Sequence, residues 1–246
     1  MIKIISVGYK AEGYIKKCIQ SVLDQTFTDW EMIIVLDPVR DNTYAEALEY
    51  RCDKIKVFKN DIRRYAIGNI SYAVKMLGCN DDDILIWLDV DDWLANNKVL
   101  ETVMHYYSTN KKLLVTHGSW QAYPKSYPKT NNAPYTKNEF KYGLRCLKLG
   151  YWRGSHLRTM KYKVYKHINQ EREFKWPDGT WLESSYDMSL MYPALEMAGF
   201  DRVQFIPDIL YIYNRETQYN DDKVNSRLQG KCAEYLTKLP RYECLK

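Results

Sequence analysis

The sequence predicts an α/β fold, with a mostly parallel central sheet, helices on both faces, and an irregular C-terminal region. Three observations predict it. Short β-rich runs alternate with helix-period segments through the first half, the 246 residues carry enough apolar content (46%) for one domain with a substantial core, and the regular alternation fades after Thr116.

The first strand is expected over Ile2 to Val7, followed by a helix whose apolar positions Ile15, Cys18, Ile19, Val22 and Leu23 recur at helical spacing. Strands then follow at Glu31 to Leu36, Ile55 to Phe58 and Ile84 to Leu88, separated by helices around Thr43 to Tyr50 and Ile67 to Leu77. Asn96 or Asn97 is placed to cap a helix that carries Val99, Leu100, Val103, Met104 and Tyr107 on one face, leading to a strand at Leu113 to Thr116. The Pro-, Tyr-, Asn- and Lys-rich stretch from Gly118 to Tyr135 reads as a long loop. Beyond it come a helix over Ser184 to Ala198, short strands at Val203 to Ile206 and Ile209 to Tyr213, and a polar helical tail.

Composition excludes several classes. The six cysteines are scattered, with no CxxC pair, so neither a zinc site nor a disulfide framework is expected. The net charge of +5 is spread along the chain among acids, unlike the concentrated patch that nucleic-acid binding needs, while a small anionic substrate would be drawn to it. With no signal-peptide pattern and no apolar run of membrane-spanning length, the chain is expected to be cytoplasmic and soluble, with no transmembrane segment.

In an open parallel sheet, ligands bind beyond the carboxyl ends of the strands, where strand order reverses. With the order 3-2-1-4, the loop from Gly8 to Gly13 and the acidic tip Asp89, Val90, Asp91, Asp92 converge on one site. Three carboxylates so close together repel one another unless a cation or an array of donors sits among them. A divalent metal bridging to a diphosphate suits an Asp-x-Asp pair, and with neither GxxxxGK[ST] nor GxGxxG in the chain, the metal would carry the phosphate charge. The alternative is a solvated turn, as expected for Asp81, Asp82 and Asp83.

At these residues the chain resembles the family 2 glycosyltransferases. Tyr14, Ile15 and the segment CIQSVLDQTFTDWEMIIVLD from Cys18 to Asp37 match that family's opening βαβ unit, and WLDVDDWL from Trp87 to Leu94 is similar to its Asp-x-Asp-Asp signature. The resemblance implies a Rossmann-like GT-A fold. Residues 1–117 would bind a nucleotide-diphosphate sugar (a UDP, GDP or dTDP sugar), 118–214 would form the acceptor-binding and catalytic half, and 215–246 a helical tail. It also implies that the backbone at Val7, Gly8 and Tyr9 meets the base, that Asp37 accepts a hydrogen bond from base or ribose, and that Asp89 lies near the ribose. Asp91, with Asp92, would hold Mn2+ or Mg2+.

Two departures stand out. Where many relatives carry Arg-Asn before the fourth strand, this chain reads Gly68 and Asn69, so the arginine's role is either vacant or taken by Arg63 or Arg64. Where many carry Glu-Asp, it reads Ser185, Tyr186, Asp187; Asp187, near a helix N-terminus, is the expected general base for an inverting transfer to a glycan or other hydroxyl acceptor, with Asp178 and Glu183 as competitors. Among 22 tyrosines and 7 tryptophans, Trp152 and Trp181, with His156 and Glu183, fall in the part that resembles the acceptor side. The rival readings are a non-catalytic sugar- or nucleotide-binding protein, a nucleotidyltransferase, which GYKAEG matches poorly, and a haloacid-dehalogenase-like phosphatase, whose nucleophile would follow the first strand.

Overall fold

The computed structural model describes residues 1–126, 132–145 and 152–246. Its centre is the expected parallel unit. Strands β1 (Ile2–Gly8), β2 (Trp30–Leu36), β3 (Ile55–Lys59) and β4 (Ile84–Asp89) pair in the order β3-β2-β1-β4, all parallel. Side chains alternate between the two faces of these strands. Ile4, Met32, Ile34 and Ile86 pack under helices α1 (Ile15–Leu23), α2 (Thr43–Leu48) and, further along the chain, α4 (Val99–Thr109). Ile5, Ile33, Val35, Leu85 and Trp87 pack under α3 (Tyr65–Leu77). Helices therefore cover both faces, and β1 is buried along nearly its whole length.

The sheet continues past β4 to eight strands, in the order β3-β2-β1-β4-β7-β6-β8-β5. The two-residue β5 (Trp93–Leu94) and three-residue β7 (Thr159–Lys161) are too short to carry a periodic signal and were not expected. Strand β6 (Val115–Tyr123) corrects the long-loop reading, because Ser119 to Tyr123 pair in parallel with β8 (Val203–Asn214). Of the remaining expected loop, residues 127–131 lie outside the described residues. The two C-terminal strands expected on either side of Pro207 are one strand. Its register shifts opposite His117 and Ser119, and this irregularity accommodates a proline that cannot donate to the ladder.

Around this second half lie α5 (Lys137–Tyr142), α6 (Tyr162–Tyr165), α7 (Gln170–Glu173) and α8 (Tyr186–Ala198), the last joining the α3 side of the core. The tail forms α9 (Asp221–Val224) and α10 (Ser226–Thr237). Arg145 ties these pieces together: its buried guanidinium pairs with Glu173 of α7 at 3.1 Å and Glu196 of α8 at 2.9 Å, and donates to the Leu236 carbonyl of α10. Among the described residues, no helix is long and apolar enough to cross a membrane.

Candidate active site

The carboxyl ends of β1, β2 and β4 open into a cleft of about 210 Å³, closed on its far side by the segment before β7, the start of α8 and the segment that follows β8. Gly8 ends β1 there, with φ of +154° and no room for a side chain: a Cβ would stand 2.5 Å from Cγ2 of Val90. The close seating of β1 against the tip of β4 thus depends on glycine. Val7, Gly8 and Tyr9 all line the cleft.

Asp37 ends the β2 arm and also lines the cleft, although it is only 2% exposed. Its Oδ1 accepts hydrogen bonds from the Arg64 N–H (2.9 Å), Asn69 Nδ2 (3.1 Å) and Asn60 Nδ2 (3.2 Å), and its Oδ2 accepts from the Tyr65 N–H at 2.9 Å. A carboxylate caps the helix start and meets its dipole. With about four lone-pair directions per carboxylate, the more lightly used Oδ2 retains capacity for one further donor.

The acidic tip divides. Asp89 and Asp91 line the cleft. Asp89 accepts from the Tyr186 hydroxyl, 2.8 and 2.7 Å from its two oxygens. Asp92, expected to hold a metal with Asp91, instead turns inward with no exposed surface; its oxygens accept from the Tyr211 hydroxyl (2.6 Å) and the Asn214 N–H (2.7 Å) of β8. Burial, then the neighbouring Asp91 and Asp89, push its carboxyl well above the usual range. Its place is structural, pinning the tip to β8. Asp92→Ala leaves two buried donors unpaired and is expected to cost about 1–3 kcal/mol for each donor left unsatisfied, read as a lowered urea midpoint.

On the opposite wall, Asp187 lies in the first turn of α8, its side chain 29% exposed, 3.4 Å from Nη1 of Arg158. Arg158 is 2% exposed and also lines the cleft; its Nη2 donates to the Tyr186 hydroxyl at 3.1 Å and lies 2.9 Å from Nδ1 of His156. A guanidinium only donates, so the facing imidazole nitrogen accepts and the ring is neutral. Burial and the Arg158 charge hold His156 well below the ordinary histidine range in agreement with this. Glu183 reaches the cleft as well, accepting from Trp176 Nε1 at 2.7 Å.

Other expected site residues stand apart. Arg63, not Arg64, lines the cleft, its guanidinium stacked 4.4 Å from the Tyr9 ring and 4.6 Å from that of Tyr65. Asn69 is fully buried behind Asp37 and positions its carboxylate instead of meeting the cleft. Trp152 packs edge-on against Tyr192 of α8. Trp181 lies against Gly68, where a Cβ would come 3.0 Å from its ring and 3.1 Å from Cβ of Arg64, so a side chain there would have to displace its neighbours. Asp178 bonds within its own turn to Thr180 and is not among the cleft residues.

The sequence reading missed Tyr65, Arg158, Ser185, Tyr186, Tyr213 and the tail residues Tyr219, Asn220 and Gln229, all of which line the cleft. Their positions come from long-range contacts that periodicity does not report. Backbone strain adds a local mark: of the three non-glycine residues with positive φ among the described residues, Tyr65 (+58°) and Ser185 (+59°) line the cleft and Lys10 (+55°) adjoins it.

The sequence profile of Glycosyl transferase family 2 matches residues 4–172, more than half of the chain, from within β1 through β2, β3 and β4. The chain belongs to glycosyl transferase family 2. Among family relatives, the Escherichia coli UDP-Glc:alpha-D-GlcNAc-diphosphoundecaprenol beta-1,3-glucosyltransferase WfgD is 33% identical over 105 residues, covering 42% of this chain and 40% of WfgD. An uncharacterized glycosyltransferase of Haemophilus influenzae is 30% identical over 112 residues, 45% of this chain and 33% of that protein. The matched regions thus span less than half of either relative.

Solved structures place this family 2 chain in the GT-A fold. S. aureus TarS 1-349 in complex with UDP-GlcNAc superposes with a TM-score of 0.61 at 16% identity, over 98% of this chain and 68% of that one. The mannosyltransferase PcManGT from Pyrobaculum calidifontis, in complex with GDP-Man and Mn2+, superposes with a TM-score of 0.57 at 12% identity, over 86% of this chain and 56% of that one.

Proposed function

We propose that this chain transfers a sugar from a nucleotide-diphosphate donor to an acceptor hydroxyl, inverting the anomeric carbon. The observation that carries the reading is the convergence of Asp37, Asp89, Asp91 and Asp187, from separate elements, on one cleft. Residues 1–117 supply the donor wall and 118–214 the acceptor wall, with 215–246 closing one side through Tyr219, Asn220 and Gln229. In this reading the backbone at Val7, Gly8 and Tyr9 and the spare capacity of Asp37 meet the nucleoside, Arg63 supplies the cation that Gly68 cannot, and Asp89 faces the ribose.

The family implies a divalent cation, and the donor set fits one that arrives with substrate. Asp89 and Asp91 offer hard oxygens on the cleft wall, whereas no three His, Cys, Asp or Glu side chains among the described residues converge into a protein-only cage. Asp91, with Asp89 beside it, would hold Mn2+ or Mg2+, which when bound offsets the charge of the leaving diphosphate. Asp187 takes the acceptor's hydroxyl proton while that oxygen bonds the anomeric carbon. The bond from that carbon to the diphosphate oxygen breaks, and its electron pair leaves with the nucleotide. His156 lines the acceptor side but is a poor rival for the proton, because a ring nitrogen accepts from Arg158 and burial beside that charge disfavours protonation; Glu183 lies on the same side.

A thermal-shift panel of UDP, GDP and dTDP and their sugars, with and without manganese, tests the reading. One nucleotide is expected to stabilise the chain in the presence of manganese, by about 2.7 kcal/mol at 100 times its Kd. No manganese-dependent shift with any of them rejects it. Ser185, standing where many relatives carry glutamate, favours a second reading, binding without turnover. Release of free nucleotide from the stabilising sugar donor would exclude that.

A further inference from the structure

Arg158 is a charge in an expensive place. It is 2% exposed, among the described residues its Nε has no hydrogen-bond partner, and Asp187 pairs with its Nη1 at 3.4 Å. Burying a cation costs desolvation that its partners must offset, and in such places a well-packed apolar residue often serves stability equally well. What the guanidinium does accomplish is geometric. One nitrogen faces Asp187, and the other donates to the Tyr186 hydroxyl, which itself donates to both oxygens of Asp89. Tyr186 and Asp187 are adjacent on the first turn of α8, Asp89 ends β4, and Arg158 precedes β7, the strand paired to β4. The relay Asp187, Arg158, Tyr186, Asp89 therefore spans the cleft from wall to wall through one ion pair and two hydrogen-bonded links, held by the planar guanidinium.

We infer that Arg158 is a positioning residue that sets the spacing between Asp187 and Asp89, so that the acceptor's proton acceptor and the donor's ribose contact are placed as one unit. The inference rests on the function proposed above and adds how its two halves are aligned. The residue acts through Asp187 and Tyr186; its removal should slow the chemical step more than it weakens donor binding.

The test is a double-mutant cycle on the full chain, reading nucleotide release from UDP-glucose, UDP-N-acetylglucosamine and GDP-mannose with manganese, using whichever is turned over. Arg158→Met is expected to lower kcat by about 100-fold while changing KM for the donor less than about 3-fold, and Arg158→Lys, which keeps the charge without the fork, to recover part of the loss. Added to Asp187→Asn, Arg158→Met should cost less than about 3-fold more, because residues acting as a unit are not additive. Should Arg158→Met fail to give a cooperative melt, Tyr186→Phe replaces it in the same cycle, with a smaller expected loss of about 10-fold and the same non-additivity. A full multiplicative loss in the double variant, or a rise in KM with kcat intact, overturns the positioning role alone. Wild-type kcat in Asp187→Asn overturns the base assignment and the inference with it.

Discussion

Asp91→Asn is expected to abolish most sugar transfer while leaving the fold intact. Asp91 lines the cleft, half-buried, whereas the neighbour that anchors the tip to β8 is Asp92, so removing the Asp91 charge spares the structural bonds to Tyr211 and Asn214. What it removes is the carboxylate that the proposal assigns to the cation on the diphosphate. Such charge stabilisation is typically worth several kcal/mol, and about 3 kcal/mol corresponds to a loss of roughly 100-fold or more in rate. Manganese titrations of initial rate should separate this variant from a merely unstable one, because the loss should persist at saturating metal with the melting temperature unchanged. An Asp91→Asn enzyme with the wild-type rate and metal response would remove the residue from the mechanism.

Asp187→Asn is the second large effect. The substitution keeps the size of the side chain and its place in the first turn of α8, but an amide cannot take the acceptor's proton. The expected loss in kcat is about 100-fold to 10,000-fold. Donor affinity should change little, since Asp187 stands across the cleft from Asp37 and Asp91, on a different element. Calorimetric donor binding alongside initial rates checks both parts. Retained turnover would shift attention to Glu183, the other carboxylate on that wall, although the hydrogen bond from Trp176 already engages it.

Much of the β1 to β4 side of the cleft was legible in the sequence because its signals are local. The β1 to β4 unit announced itself through apolar runs separated by helix-period segments, and the order β3-β2-β1-β4 then put Gly8, Asp37 and Asp89 at adjacent strand ends. The limits appear where neighbours in sequence have opposite fates. Asp91 and Asp92 are chemically identical until β8, over a hundred residues later, presents Tyr211 and Asn214 to one of them. Arg63 and Arg64 differ only in which one precedes the capped start of α3, where Asp37 takes the backbone N–H of Arg64 and the Arg63 side chain is left to stack over Tyr9.

The opposite wall of the cleft was the least legible part for the same reason. Strands β5 and β7 are too short for any period to show, and the bulged pairing of β6 with β8 hid a strand inside a Pro- and Tyr-rich stretch. Arg158 carried no motif at all; its pairing with Asp187 is visible only once β7 brings it beside α8. Trp152 and Trp181 illustrate the converse, as tryptophans that suggested sugar stacking and instead pack on Tyr192 and Gly68.

The most direct test of the account is the metal dependence of nucleotide binding by isothermal titration calorimetry. UDP, GDP and dTDP would each be titrated into the wild-type chain and into Asp91→Asn, in manganese and in EDTA. The predicted result is that manganese tightens binding of the preferred diphosphate by about tenfold or more in the wild type, about 1.4 kcal/mol, and has no such effect in Asp91→Asn. Equal affinity in manganese and EDTA for the wild type, or an undiminished manganese effect in Asp91→Asn, would contradict it.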